Sequence, residues 1–546
     1  MAAWNLIVLK FGSSVLRSAA DLPAVADEIY RHLRDGKRVL AVVSAFEGCT
    51  DALLRLARSQ FGDDAPAATA CLAATGELQS AALLAGYLVR SGVSARVMDP
   101  REIALSVHGS SLDSEPHSID RDAIFGAFER QSVLVVPGFF GINRDGQVCL
   151  LGRGGSDFSA LFLAHRLGAE CRLIKDVDGI FDRDPADAGP TAMRFASVTW
   201  EAALNVAGEL VQHQALQFAH LHRFGFSVGA LSSASQTHVG ADPSTIGEAI
   251  EQQAPLRIVM LGLGTVGGGV YSRLREQPER FEILRIVVRD IDKHRSLDLP
   301  SGILGTDPWA AVNLPADLVI ESMGGLFPAG DLVLHALNKG CPVVTANKAM
   351  VAHRWADLHP FTGAAPRLRF SAAVGGALPV LETLSMHSGR VRRLRGVING
   401  TCTYVLGAMR NGTDFDAAID AADKLALMAR VAFGIDLPLN TIATRGIGAR
   451  DAGAKVQLVA SAVREQDAIR ARVGPEELAD RDFLAGSIEA QNRVEIELDD
   501  GHMLRLEGIG AGRWPTAISV CGDVMDVWRE QGSEVARLRR RPSVSA

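Results

Sequence analysis

Short runs of β-branched and aliphatic residues alternate with amphipathic stretches from the start of the chain. Leu6 to Leu9 reads as a strand, Leu22 to Leu33 as a helix with one apolar face, and Val39 to Val43 as a second strand. This is the rhythm of an α/β fold, which gathers ligands at the carboxyl ends of its strands. A polar stretch rich in Gly, Ser and Pro, Ser232 to Pro255, interrupts the pattern and predicts the main boundary. A second α/β series then starts, with strands predicted at Leu256 to Leu261, Leu284 to Val288, Asp317 to Glu321 and Pro342 to Thr345. After Asn347 strands and helices mix less regularly, as expected where a substrate domain is inserted. Arg493 to Gly508 reads as a hairpin turning at Asp499-Asp500-Gly501. The pattern predicts a first domain over 1–235, a linker over 236–255, a second domain over 256–385, a third over 386–526 whose end returns to the second, and a basic tail over 527–546.

Composition narrows the class. With 546 residues, 47% of them hydrophobic, the chain can bury several cores, and a net charge of -7 gives no footprint for nucleic acid. The cluster Arg537, Arg539, Arg540 and Arg541 reads as a solvated tail. Seven scattered cysteines form no C-x-x-C pair and no zinc spacing, which fits a reducing compartment. No run approaches the roughly 18 uninterrupted apolar residues of a membrane span, and Met1 to Leu9 lacks a basic leader. The expectation is a cytoplasmic protein that acts on small molecules, with no nucleic acid, no membrane and no metal site of its own.

Five local sequences in the first half converge on one chemistry. Lys10-Phe11-Gly12-Ser13-Ser14 follows a strand, so an ammonium and small backbone positions stand where phosphates can be cradled. Val43-Ser44-Ala45 ends the next strand with a hydroxyl. Gly76-Glu77, Leu151 to Asp157 (LGRGGSD) and Lys175 to Pro185 (KDVDGIFDRDP) follow. Phosphoryl transfer to a carboxylate needs cations and amides for the developing charge, and a guanidinium to hold an acidic acceptor, which Lys10 and Arg153 can supply.

This ordered set, with Pro137 to Gly141, resembles the aspartate kinase branch of the amino acid kinase family over roughly residues 5 to 230. The resemblance implies an amino-acid-kinase-type α/β sandwich. It also implies that Lys10 stabilises the transferring phosphoryl group, that Glu77 binds the substrate amino group and that Arg153 and Asp157 hold aspartate. Gly12, Ser13, Ser44, Asp176 and Asp182 would lie around ATP, with Mg2+ carried in by the nucleotide. Two departures stand out. Ser13, Ser14 and Val15 replace a glycine, a threonine and a serine, and Leu210-Val211-Gln212-His213-Gln214 lacks the lysine and proline of the family's later loop. A working kinase and a nucleotide-binding scaffold are therefore both open. The family usually continues into paired ligand-sensing domains, but about 25 residues separate Ser227 to Leu231 from the next module, too few for another core. Feedback inhibition by threonine or lysine through such a domain is not expected.

Gly262-Leu263-Gly264-Thr265-Val266-Gly267 follows an apolar strand and opens a helix. In that setting three glycines allow the tight turn, pyrophosphate approach and helix packing of a Rossmann dinucleotide site. Arg289 at the end of the next strand, with Lys293 and Arg295 behind it, suits the 2′-phosphate of NADP, whereas Asp290 keeps NAD open. Further segments are Glu321 to Gly325, Val344-Thr345-Ala346-Asn347-Lys348, Ile398 to Tyr404 and Gly508 to Ala517. Asp451 and Lys455, at i and i+4, share a face if helical.

Together these motifs resemble homoserine dehydrogenase over roughly residues 256 to 526. The resemblance implies a Rossmann domain with an inserted α+β substrate and dimerisation domain. It implies NADP or NAD as cofactor, bound by Gly262, Gly264, Thr265, Val266, Gly267, Arg289, Thr345 and Lys348. Lys348 and Lys455 would flank the reacting oxygen and Asp451 the substrate's polar end. Two departures remain. Ser371 replaces the family's carboxylate ahead of Ala372-Ala373-Val374-Gly375, and Gly434-Ile435-Asp436-Leu437-Pro438 stands where the family has a substrate loop, with Asp436 as the candidate for its amino-binding acid. The combined expectation is an ATP-dependent aspartate kinase fused to an NAD(P)-dependent homoserine dehydrogenase, a homo-oligomer (dimer or tetramer). An active dehydrogenase with a scaffolding kinase half, or action on a related substrate, are the alternatives.

Overall fold

The computed structural model describes residues 5–185, 192–208, 210–233, 235–247, 253–294, 297–398, 414–446, 456–466, 468–487 and 491–539. It divides into two compact units, Met1–Val89 with Ser94–Gln252, and Arg90–Val93 with Gln253–Ala546.

The first unit is built on a nine-stranded sheet. Its strands are β1 (Leu6–Phe11), β2 (Arg38–Val43), β3 (Ala95–Val97), β4 (Val133–Pro137), β5 (Glu170–Lys175), β6 (Phe195–Thr199), β7 (Phe226–Ala230), β8 (Thr237–Gly240) and β9 (Thr245–Ile246). They lie in the order β9-β6-β8-β7-β5-β1-β2-β4-β3, parallel from β7 to β3. β1 and β4 are buried at every position, which is why they read as continuous apolar runs rather than alternating ones. Helices α1 (Leu22–Arg34), α2 (Pro66–Arg90) and α3 (Gly155–Leu167) flank the sheet. α2 is long and apolar enough to cross a membrane, but half of its most apolar window is buried within the fold. The stretch expected as a linker, 236–255, instead supplies β8 and β9. Its polar residues are tolerated because β9 is an exposed edge strand and β8 alternates, with His238 outward.

In the second unit a six-stranded parallel sheet comprises β10 (Leu256–Leu261), β11 (Phe281–Val287), β12 (Leu304–Gly305), β13 (Leu318–Glu321), β14 (Val343–Thr345) and β15 (Leu368–Arg369). Its order, β12-β11-β10-β13-β14-β15, is the 3-2-1-4-5-6 arrangement whose strand order reverses between β10 and β13 and opens a crevice there. Helix α4 (Thr265–Leu274) follows β10 and α5 (Lys348–His353) follows β14. After β16 (Val391–Val397) comes helix α6 (Asp414–Phe433), then β17 (Ala443–Thr444), β18 (Val456–Glu465), β19 (Ala468–Glu477), β20 (Gln491–Leu498) and β21 (Met503–Ile509). These strands form a second sheet, β17-β19-β18-β16-β20-β21. One continuous core joins the parallel sheet to this sheet through the buried face of α6, including Leu425, Met428 and Ala432. Helix α7 (Arg513–Arg539) returns to the opposite face, where Ala517, Val520 and Val524 pack with Met260 and Val270. The expected tail from 527 is therefore helical as far as Arg539. Val527 is buried and Arg369 pairs with Glu530 at 2.6 Å, so this stretch is part of the fold.

Candidate functional site

In the first unit the strand ends bring two lysines to one carboxylate. Asp157 lies in the first turn of α3, behind Gly154, whose φ of +74° makes the left-handed turn into the helix. Its Oδ1 is 2.7 Å from Lys10 Nζ and its Oδ2 accepts from Lys175 Nζ at 2.9 Å. All three side chains are buried. Burial alone raises the Asp157 pKa, but the two ammonium groups outweigh it and hold it down at about 2. Lys10 is lowered to about 8, first by burial and then by the charge of Lys175, against the pull of Asp157. Gly12 makes room for the Lys10 ammonium, since a Cβ there would lie 2.9 Å from Nζ.

Glu77, on α2, faces the same region. Its Oε1 accepts from the Ala45 N–H at 3.3 Å, and burial raises its carboxyl to about 7. Ser44 joins the strand ends, its N–H donating to the Phe11 carbonyl at 3.0 Å and its own carbonyl accepting from Ser80 Oγ at 2.7 Å. Ser13, Ser14, Arg153 and Asp176 are exposed at this edge. Asp182, also exposed, accepts from the Met193 N–H at 2.8 Å. Asp157, expected beside the acceptor, has its two oxygens in contact with the ammonium groups of Lys10 and Lys175. Lys175, in a motif the sequence singled out but with no assigned role, proves to be part of the cluster.

In the second unit Gly262, at φ +106°, turns the chain out of β10 against the Ser322 carbonyl. A Cβ at Gly267 would lie 2.3 Å from the Gly262 carbonyl oxygen. At Gly264, by contrast, a Cβ meets nothing within 4 Å, the open space a pyrophosphate needs at the amino end of α4, next to Thr265 and Val266. Glu321 and Thr345 are register partners at the ends of β13 and β14. Thr345 Oγ1 donates to Glu321 Oε2 at 2.5 Å, and the N–H groups of Met323 and Gly324 donate to Oε1 at 2.8 and 3.2 Å. Burial raises the Glu321 pKa despite these donors. Thr345, expected to contact cofactor, thus commits its hydroxyl to this buried carboxyl. Arg289 is exposed just past β11, and Asp290 turns back to accept from the Asp292 N–H at 3.0 Å.

Asn347 caps α5 by accepting from the Met350 N–H at 3.2 Å, which sets Lys348 at the first helical position beyond β14. Lys348 Nζ is 2.7 Å from Asp420 Oδ1, and Lys424 Nζ is 2.8 Å from Asp420 Oδ2 and donates to the Ile398 carbonyl at 2.7 Å. Burial raises the Asp420 pKa, but Lys424 and Lys348 together bring it below the ordinary range. One turn along α6, Asp423 faces His353 at 3.3 Å, and burial raises its pKa. Asp451 and Lys455 lie outside the described residues, as does the segment 399–404. Among the described residues, the partners gathered around Lys348 are Asp420 and Lys424, a pair at i,i+4 spacing on α6. Asp436 is not brought to this cluster. It pairs with Arg430 at 3.0 Å near the far end of α6, about 15 Å along the axis from Asp420.

Comparison with known proteins places each half of the chain in a family. The amino acid kinase family profile matches residues 5–220, that of the homoserine dehydrogenase NAD binding domain matches 262–365, and that of homoserine dehydrogenase matches 379–423 and 417–525. A homoserine dehydrogenase of Synechocystis sp. is 32% identical over 316 residues, 50% of this chain and 73% of its own. An aspartate kinase of Pseudomonas putida is 32% identical over 218 residues, 39% of this chain and 53% of its own, so the chain spans about half the length of that relative. The crystal structure of a homoserine dehydrogenase from Thiobacillus denitrificans is 32% identical, covering 52% of this chain and 75% of its own, with a TM-score of 0.45. The chain therefore belongs to the homoserine dehydrogenase family, and ahead of that enzyme it carries an amino acid kinase family domain related to aspartate kinases.

Proposed function

We propose that the second unit interconverts aspartate 4-semialdehyde and homoserine with a nicotinamide cofactor, and that the first unit phosphorylates aspartate with ATP. The convergence of Lys348, Asp420 and Lys424 beside the sheet edge that carries Gly262, Glu321 and Thr345 is the observation that carries the dehydrogenase reading. The open position at Gly264 and the packed ones at Gly262 and Gly267 fit a dinucleotide pyrophosphate. The nicotinamide, when bound, supplies or accepts the hydride. Lys348 and Lys424 stand to orient the carbonyl oxygen and move its proton, and Asp420 holds both ammonium groups in place. Asp451 and Lys455 keep the roles expected of them, at the substrate's polar end and beside the reacting oxygen, whereas Asp436, paired with Arg430, has no part in this assignment.

NADP is the cofactor this reading favours. Arg289 is exposed at the end of β11 with Lys293 nearby, while Asp290 gives one carboxylate oxygen to the Asp292 N–H. In the first unit Lys10 supplies a cation to the transferring phosphoryl group and Glu77 an acceptor for the substrate amine. Arg153 takes the acidic acceptor, and Asp176 and Asp182 lie toward ATP and its Mg2+. The test is steady-state assay of the purified chain. Homoserine-dependent reduction of NADP+ should exceed that of NAD+ in kcat/KM, and Arg289→Ala should narrow the gap. Trapping of acyl phosphate as hydroxamate should require both ATP and aspartate. A chain that turns over neither homoserine nor the semialdehyde overturns the dehydrogenase reading.

A further inference from the structure

We infer that Lys175 is a second catalytic cation of the kinase half, supplied from a strand end where the neighbouring loop offers none. The inference rests on the kinase reading above and deepens it. β1 and β5 run parallel, with Lys10 opposite Leu173. Lys175 lies two positions past Leu173 and therefore projects from the same face of the sheet as Lys10. Both ammonium groups reach Asp157, with Lys175 3.2 and 2.9 Å from its two oxygens. Two buried cations thus share one carboxylate, at the amino end of a 13-residue helix that adds further positive potential. Glu77 also acts on Lys10, but more weakly than Asp157, so positive charge is in excess at the contact itself, a costly arrangement unless an anion completes it. A transferring phosphoryl group is such an anion.

The loop at 210–214 closes on this site with neutral groups. The Gln212 N–H approaches Asp157 Oδ2 at 3.4 Å, its side-chain amide faces the Leu151 carbonyl at 3.4 Å, and its Cβ lies 3.1 Å from where a Cβ on Gly154 would stand. Leu210 packs into the core instead. The second positive charge at Asp157 therefore comes from β5. In the reaction the bond from the γ-phosphorus to the ADP oxygen breaks as one to an aspartate carboxylate oxygen forms. No proton changes hands, and the charge spread over the phosphoryl oxygens is met by Lys10 and Lys175 together.

The experiment compares the full chain with Lys175→Met, Lys175→Arg and Lys175→Met/Gln212→Lys. It measures hydroxamate-trapped acyl phosphate, and affinities for ATP and AMP by calorimetry. Lys175→Met should lower kcat by on the order of 10²- to 10³-fold. It should weaken ATP at least tenfold while AMP binding, which reports an intact nucleotide fold, stays within about twofold. Lys175→Arg should keep most of the ATP affinity, and lysine at 212 should restore part of what Lys175→Met loses. Activity and ATP affinity in Lys175→Met within about threefold of the parent overturn the inference. If the parent forms no acyl phosphate yet Lys175→Met still loses ATP selectively, the kinase reading fails and the phosphate-binding role of Lys175 stands.

Discussion

Replacing Asp420 by asparagine keeps the side-chain shape and deletes the one negative charge between two ammonium groups. Lys348 and Lys424 approach it at 2.7 and 2.8 Å, so their nitrogens lie no more than about 8 Å apart. At an effective dielectric of about 20, two unit charges separated by 6 to 8 Å repel by roughly 2 to 3 kcal/mol. Lys348 is about a third exposed, and solvent screening cuts that to about 1 to 2 kcal/mol. In the parent the Asp420 carboxylate offsets this repulsion, and in the variant that offset is gone. Two effects should follow. The alkaline limb of the dehydrogenase pH profile moves to lower pH, because a neighbouring carboxylate no longer favours the charged lysines, and kcat falls on the order of 10²-fold because they lose the group that orients them. The assay is NAD(P)H formation from homoserine, followed from about pH 6 to about pH 10 in parent and variant. An Asp420→Asn variant with kcat within about threefold and an unmoved limb would refute the argument that these three groups act together.

Three other expectations use different parts of the chain. Gly264→Ala should leave thermal stability within about 0.5 kcal/mol but weaken cofactor binding at least tenfold, because its Cβ would enter open space that the pyrophosphate needs. Gly267→Ala should cost about 1 to 3 kcal/mol in denaturant unfolding as well, since its Cβ would collide with the Gly262 carbonyl. Glu77, with its pKa raised from 4.5 to about 7, is neutral in both folded and unfolded chains below 4.5, and its stabilising contribution is lost as pH rises through 7. Glu77→Gln should therefore gain on the parent in unfolding measurements above pH 7, by up to about 3 kcal/mol, while kinase activity, which needs the carboxylate, disappears. Glu28 is fully buried among Arg31, His32 and Arg172 and accepts from the Ser232 N–H at 3.0 Å. Glu28→Ala should cost about 3 to 5 kcal/mol in unfolding of the first unit by taking this carboxylate from the Arg31 and Arg172 guanidinium groups.

Much of the fold was legible because its signals are local. The strand at Leu256–Leu261, the helix after Leu22 and the hairpin turning at Gly501, with φ +80°, occur where periodicity and turn chemistry put them. The stretch 236–255 misled because its strands are only four and two residues long and β9, at the sheet edge, needs no apolar residues, so polar composition does not separate it from a linker. The end of the chain misled for a related reason. Arginines around Arg537 look solvated, yet the same helix keeps burying residues upstream, through Val524 and Val527. In the first site the carboxylate and Lys10 were readable from their motifs. The pairing with Lys175 was not, because it depends on β1 and β5, far apart in sequence, lying side by side in register.

The dehydrogenase cluster shows most clearly what spacing alone can and cannot decide. The sequence contains two aspartate-to-lysine steps of four residues in its final third, Asp420 to Lys424 and Asp451 to Lys455. Each would place a carboxylate and an ammonium on one helical face, so helical periodicity ranks them equally. For the first pair the fold supplies a third residue. Asn347 caps α5 and fixes Lys348 just beyond β14, and α6 packs its buried face against the core shared with that sheet, which delivers Asp420 to Lys348. Two clues for Asp420 were present in the sequence. The apolar period from Ala418 through Leu425 to Ala432 marks a long buried helix, and charged residues inside such a helix face a steep desolvation cost. Asp423, Lys424 and Arg430 are all buried on that helix, and each is held by a partner that the bare periodicity does not name, His353, Asp420 and Asp436 respectively. Charges kept at such cost on one face are a stronger sign of a site than i,i+4 spacing alone.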